Sequence, residues 1–385
     1  MTFAPTSKPD GVFDRVARLN WGVITLLIAL AFIGVLMHFS VSAGAWSDMP
    51  LTHGVRFITM LALVLACAIL VGPSFFLSIA YWLYGFALLL LLAVEVAGET
   101  RMGATRWLSV GPVSLQPSEL MKVAIVLALA RYYHKIEGVR ANTVLWSIPP
   151  FLMIAAPVAL VMHQPDLGTA MLILFTGVVI MFLGGLPWRV IVTGAALGVA
   201  GAYFAYTTVL HDYQRDRINV FLGLADDPLG AGYHVLQSKI AIGSAGLFGR
   251  GYAQGSQSQL DFLPEKHTDF IFTMIVEEFG LLGGLLVLGL FGALMAVAVN
   301  VGYRVRRDSP FSMFGKLAAV GVATMLASYV FINTAMVIGL APVVGIPLPM
   351  ISFGGTAMMT LMAGFAIVLS IDLHRDIPGA RGMLF

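Results

Sequence analysis

Apolar runs of about 20 residues recur along the chain, separated by short polar breaks. A helix needs about 20 mostly apolar residues to cross a bilayer at 1.5 Å per residue. The runs lie near residues 20–39, 54–71, 75–96, 118–133, 146–163, 167–184, 188–208, 269–300, 314–339 and 351–371. The fourth is short and the eighth is long. Residues 167–184 could instead pair with 146–163 as a re-entrant hairpin, although both runs are long enough to cross. The pattern predicts an all-α integral membrane protein with about ten transmembrane helices, organised as a single polytopic domain over residues 1–385. There is no soluble domain, repeat array or low-complexity tract, and residues 1–10 read as a short disordered tail. Polar positions concentrate in three places: 97–118, the turn His163–Gly168, and the long segment 209–268. A loop of that last length in a compact membrane protein is usually functional.

Composition agrees with the pattern. Apolar residues make up 59% of the chain and charged residues 11%, with a mean hydropathy of +0.90. A soluble domain would carry about 25% charged residues. The net charge of +2 contains no basic run, so nothing points to nucleic acid. The lone Cys67 lies in an apolar run, where packing is its ordinary role. Ala43-Gly44-Ala45 resembles a signal-peptidase site, but the preceding run is longer than a usual signal segment, which favours a retained first span.

Charge placement orients the spans. If the N-terminus is inside, one side gathers Lys8, Arg15, Arg18, Arg131, Lys135, Arg140, Arg189, Arg304, Arg306, Arg307, Lys316, Arg375 and Arg381. The positive-inside rule then puts both termini in the cytoplasm and 209–268 outside as one long extracytoplasmic loop between spans seven and eight.

Candidate chemistry lies at the polar breaks. Asp269 sits where the long polar segment becomes an apolar helix, a border at which a carboxylate can be partly desolvated and still reach a substrate. The plain alternative is helix capping, with Thr268 as N-cap and Asp269 in the first turn. Glu277 and Glu278 lie about 12 Å further along the helix, and carboxylates inside a span are functional or paired by default. Arg106 and Trp107 precede Gln116-Pro-Ser-Glu-Leu-Met-Lys122, in which Glu119 and Lys122 share a helix face at i,i+3. They form either an ordinary ion pair or a carboxylate-held cation that meets phosphate; the plain alternative for Trp107 is an interfacial anchor. Asp166 either caps the next helix or acts in the site. Arg215 and Arg217, two apart beside the membrane, suit an anionic head group or diphosphate; alternation with Asp212 and Asp216 gives a solvated salt-bridged stretch instead. Pro349–Thr356 is a glycine-rich turn that fits phosphate or close helix packing. No P-loop, dinucleotide fingerprint, HExxH or Cys/His cluster is present.

Read in order, RWLSVGPVSLQPSELMK, QPDLGTA, YQRDRI, FLPEKHTDFIF with its following EEFG, and ISFGG resemble the SEDS family (shape, elongation, division and sporulation). Residues 227–270 are closer to its RodA-like elongation branch than to its division branch. Ala245 stands where a glycine is frequent, a departure without consequence for the site. The resemblance spans essentially all ten runs. It implies a peptidoglycan glycosyltransferase that polymerises lipid II in the bacterial cytoplasmic membrane, acting on the extracytoplasmic face. It implies Asp269 as the essential carboxylate, with Trp107, Glu119, Lys122 and Asp166 as supporting residues. The transfer would invert the anomeric centre, with Arg106, Lys122, Arg215 and Arg217 as candidate cations for the leaving diphosphate. No dedicated metal ligand set is visible, and participation of a divalent ion, Mg or Mn, is left open. Implied partners are lipid II, a class B penicillin-binding transpeptidase and other membrane proteins of the elongation complex. A lipid II flippase and a non-catalytic scaffold are the alternatives.

Overall fold

Proline, glycine and short polar residues set the helix limits. In the computed structural model the described residues are 11–42, 47–101, 104–110, 113–136, 143–210, 212–222, 224, 231–255, 263 and 265–376. Helices α1 (Val12–Ala17), α2 (Trp21–Val41), α3 (Asp48–Leu70) and α4 (Pro73–Ala97) come first. A sheet of β1 (Glu99–Arg101), β2 (Ala104–Val110) and β3 (Val113–Leu115) follows. Then come α5 (Pro117–Ile136), α6 (Val144–His163), α7 (Leu167–Leu183) and α8 (Trp188–Phe204), which ends in a π-turn at Ala205–Val209. Helices α9 (Asp212–Phe221), α10 (Ala231–Ser244), α11 (Ile271–Arg304), α12 (Ser312–Val337) and α13 (Gly355–His374) complete the order. Pro73 opens α4 at a position where its missing N–H is not needed. Asn20 caps α2 by accepting from the Val23 N–H at 3.3 Å.

Each apolar run of the sequence contains a helix. Among the described residues, eight helices are long and apolar enough to cross a membrane: α2, α3, α4, α6, α8 with its extension to Thr208, α11, α12 and α13. The other two depart for physical reasons. Helix α7 has only 17 residues. Helix α5 carries Glu119, Lys122, Arg131 and Lys135, and the run Met121–Ala130 is wholly buried in protein. It packs against α4, α7, α12 and α13, so its first-turn charges meet protein groups instead of lipid.

The bundle has two chemically different ends. At one, the Arg15 guanidinium donates to the Ile69 carbonyl at 2.9 Å, Asn20 donates to Asp372 at 3.0 Å, and Arg375 pairs with Asp372 at 2.6 Å. Lys8, Arg140 and Arg381 lie outside the described residues, as do the Ala43–Ala45 motif and the expected N-terminal tail. The other end carries Asp166, Asp269 and the sheet, and is called the site end below.

The structure adds three features to the expected helical membrane fold. The strands Glu99–Arg101, Ala104–Val110 and Val113–Leu115 form a small antiparallel meander in the order β1-β2-β3. The segment 209–268 is not an open loop in its described parts. It folds into α9 and α10, and the Ser238 hydroxyl locks α10 to α12 through the Val337 carbonyl at 2.7 Å. The eighth run is broken at Gly280, whose φ of 71° and ψ of −169° interrupt α11. The N–H groups of Arg250 and Gly251 donate to the Glu277 and Glu278 carbonyls, and those of Leu281 and Leu282 to the Gly246 and Leu247 carbonyls. A turn of the long segment thus supplies the backbone bonds the helix lacks.

Candidate active site

The backbone of His267-Thr268-Asp269 is clamped at three successive carbonyls. The His267 carbonyl accepts from the Phe353 N–H at 2.8 Å. The Thr268 carbonyl accepts from the Ser352 hydroxyl at 2.7 Å. The Asp269 carbonyl accepts from Asn333 Nδ2 at 2.8 Å, and the same amide donates to the Ile346 carbonyl at 2.7 Å. Two carbonyl partners fix which end of the Asn333 amide carries the nitrogen. Ser352 is held in turn by the Leu348 N–H at 2.7 Å. Segments distant in sequence, 267–269 and 346–353, are therefore fastened together through α12.

The helix start differs from the expected cap at Thr268. Helix α11 starts at Ile271 with Phe270 as N-cap, whose own side chain makes no capping hydrogen bond. The Thr268 hydroxyl donates back to the Glu265 carboxylate at 2.8 Å. Asp269 precedes the helix and is only half-buried. Beside it lies Gly345, at φ 68°, where an added Cβ would come 3.3 Å from Asp269 Oδ2. A side chain there would crowd the carboxylate.

Asp166 is both cap and network member. Its carboxylate accepts from the Thr169 N–H at 3.2 Å at the start of α7, and from Gln116 Nε2 at 3.4 Å. Arg106 Nε lies 3.8 Å from it, and the same guanidinium donates to the Gln164 and Pro165 carbonyls. Strand β2 places Arg106 here, whereas its neighbour Trp107 sits opposite Glu99 of β1. The start of α7 touches the loop that carries Gly345: a Cβ on Gly168 would meet Ile346 Cγ1 at 2.9 Å and the Val344 carbonyl at 3.0 Å. Asp166 and Asp269 thus flank one loop.

Glu119 and Lys122 form the expected ion pair, at 2.7 Å, and they are 7% and 2% exposed. Glu119 also accepts from the Thr360 hydroxyl at 2.6 Å and the Tyr329 hydroxyl at 3.1 Å, and the Lys122 ammonium also bonds the Tyr329 oxygen. Four polar groups from α5, α12 and α13 close on each other. Lys122 thus lies inside the protein with Glu119 and Tyr329 as its partners. Tyr329 and Asn333 share a face of α12, about 6 Å apart along the axis, so one helix carries both this clasp and the Asp269 clamp. Glu119 also borders an apolar cavity of about 490 Å³ between α3, α4, α5 and α13.

The remaining expectations fare unevenly. Arg215 donates to the Thr207 carbonyl at 3.1 Å, and the Arg217 side chain lies outside the described residues. Glu278, 1% exposed, is paired: it accepts from the Ser40 hydroxyl and from the Ala253 N–H at 3.3 Å. Burial and this carboxylate raise the nearby Tyr252 phenol, which stays protonated and donates to the Leu36 carbonyl at 2.8 Å. Among the described residues no three His, Cys, Asp or Glu side chains converge to hold a metal ion. Sequence reading did not single out Asn333, Tyr329 or Gly345, and held Ser352 only as part of the Pro349–Thr356 turn. The i,i+4 spacing of Tyr329 and Asn333 in an otherwise apolar run was the available signal.

Comparison with known proteins agrees over the whole bundle. A model of the FtsW, RodA and SpoVE family, described as cell cycle protein, matches residues 20–377. The peptidoglycan glycosyltransferase MrdB of Escherichia coli (strain K12) is 40% identical over 375 residues, covering 97% of this chain and 98% of that protein. A solved structure described as structural coordination of polymerization and crosslinking by a peptidoglycan synthase complex matches with a TM-score of 0.77 at 31% identity, over 93% of this chain and 98% of the other. The crystal structure of the Thermus thermophilus rod shape determining protein RodA matches with a TM-score of 0.66 at 29% identity, over 93% and 98%.

Proposed function

The chain belongs to the FtsW/RodA/SpoVE family, and from that premise we propose that it is a peptidoglycan glycosyltransferase in which Asp269 is the general base. The observation that carries the assignment of Asp269 is the clamp itself. Three consecutive carbonyls are held by other parts of the chain, while the carboxylate is half-buried and Asp269 lies one residue before the N-cap of α11. Helix capping would not require this scaffold, whereas a base must be held in a fixed pose.

The reaction follows from the chemistry of a glycosyl diphosphate such as lipid II. The acceptor 4-hydroxyl oxygen attacks the anomeric carbon in line. The bond from that carbon to the diphosphate oxygen breaks, and the electron pair leaves with the diphosphate. The hydroxyl proton passes to the Asp269 carboxylate, and the configuration inverts. Diphosphate leaves readily once its charge is met by cations. With no convergent metal ligands among the described residues, a magnesium or manganese ion would be held by the substrate's own phosphates.

The apolar cavity beside Glu119 suits the isoprenoid tail. Asp166 and Arg106 brace the loop that passes Asp269, and the buried Glu119–Lys122–Tyr329–Thr360 clasp fixes the helices beneath it. The cation-rich opposite end belongs in the cytoplasm, so the site end faces the extracytoplasmic side of the bacterial cytoplasmic membrane. A class B penicillin-binding transpeptidase is the partner, in line with the synthase complex that this chain resembles, and the pair serves wall elongation.

The test is polymer formation by purified chain in proteoliposomes with lipid II and the transpeptidase, run beside a lipid II scrambling assay. Glycan product without scrambling supports the enzyme. Robust scrambling with no glycan would replace this reading with that of a transporter.

A further inference from the structure

We propose that Arg56 grips the diphosphate of an isoprenoid-linked substrate at the mouth of the apolar cavity. The proposal rests on the glycosyltransferase reading only for the identity of the substrate. Three features point to it. The first is the cavity, about 490 Å³ and lined almost entirely by carbon. Met60, Leu63 and Cys67 of α3 form one of its walls, and Glu119 to Leu127 of α5 form another about 12 Å long. A straight apolar chain fits such a slot.

The second feature is the charge. Arg56 lies one turn before Met60 on the same face of α3, so it extends the cavity wall toward the site end. Its guanidinium sits 5.2 Å from the centre of the Phe353 ring, and a Cβ on Gly355 would lie 3.5 Å from its Nη1. Thr356, the next residue, lines the cavity. Arg56 is exposed, and among the described residues it makes no hydrogen bond or ion pair. By contrast, Arg106 and Lys122 are already committed to protein partners.

The third feature is depth. Residues 57–71 carry no charge, so Arg56 marks the level at which α3 leaves the hydrocarbon. An exposed cation at that level stands where the anionic head of a lipid lies. A guanidinium can bond two phosphate oxygens at once. Phe353, against which Arg56 lies, donates its N–H to the His267 carbonyl, two residues from Asp269, which ties the residue under Arg56 to the segment that carries the base.

Binding is measured in the Asp269→Asn protein, where turnover does not interfere, by native mass spectrometry in detergent. The probes are undecaprenyl diphosphate, undecaprenol, phosphatidylglycerol and inorganic diphosphate. Arg56→Gln should weaken undecaprenyl diphosphate about tenfold, or about 1.4 kcal/mol, and leave undecaprenol unchanged. Arg56→Lys should recover part of the loss, and unchanged thermal melting would show that both variants are folded. In the active protein Arg56→Gln should raise KM about tenfold with kcat nearly unchanged. Unaltered diphosphate-lipid binding overturns the proposal. So does an equal loss for phosphatidylglycerol, which would make Arg56 a general anionic-lipid anchor, or inorganic diphosphate binding as tightly as the lipid, which would leave the cavity without a role. Failure of Asp269 as the base would leave these binding results as they are.

Discussion

Replacing Asn333 with alanine separates positioning from packing. Asn333 is fully buried and donates two hydrogen bonds, to the Asp269 and Ile346 carbonyls at 2.8 and 2.7 Å. Each buried hydrogen bond contributes about 0.5–1.5 kcal/mol net. Losing both should lower stability by about 1–3 kcal/mol, with more if the two carbonyls are left unpaired. The larger effect should fall on catalysis. The amide ties the Asp269 carbonyl to α12, and a shift of about 1 Å at a catalytic group costs on the order of a hundredfold. Asn333→Ala should therefore reduce kcat for lipid II polymerisation by about 10- to 100-fold per folded molecule, with KM little changed. The assay is glycan synthesis by purified protein, normalised to the folded fraction from thermal unfolding in the same detergent. A variant that melts earlier yet keeps its activity per folded molecule would show that Asn333 only packs, and the clamp would lose its meaning.

Two further predictions probe neighbouring features. Gly345→Ala forces a side chain to φ 68° and places a methyl 3.3 Å from Asp269 Oδ2; it should cost about 1–2 kcal/mol of stability and depress polymerisation at least about tenfold, and normal rates would refute the crowding argument. Lys122→Ala leaves the Glu119 carboxylate buried without its cation and should destabilise by about 3–5 kcal/mol, while Lys122→Met combined with Glu119→Gln should cost far less. Thermal unfolding of the single and double variants measures this, and additive losses would contradict a closed clasp.

The bundle was legible because lipid demands long uncharged runs, and every run from 20–39 to 351–371 holds a helix. Helix α5 was the hardest to bound, since its charges are sheltered by protein that a sequence does not display. The break at Gly280 was hidden because glycine is common in membrane helices, and only the docked turn 246–251 makes its positive φ tolerable. The sheet was missed because β1 and β3 have only three residues each, too few for alternation to carry a signal, and β2 has no neighbouring strand that the sequence displays. Asp269 was legible as a charge at a polar border, and the Glu119–Lys122 pair as an i,i+3 spacing. What that spacing could not reveal was Tyr329 and Thr360, more than 200 residues away, which turn a surface-like pair into a buried clasp. Asn333 escaped for a related reason: a lone amide in an apolar helix has no local partner, and both of its carbonyls come from other segments.

The central claim is that the Asp269 carboxylate takes the acceptor proton. Asp269→Asn preserves size and the backbone hydrogen bonds of the clamp while removing the base. Measured with lipid II and the transpeptidase partner, and with folding checked by thermal unfolding, glycan synthesis should fall at least about a hundredfold while undecaprenyl diphosphate still binds. Near-normal polymer from a folded Asp269→Asn protein would contradict the account.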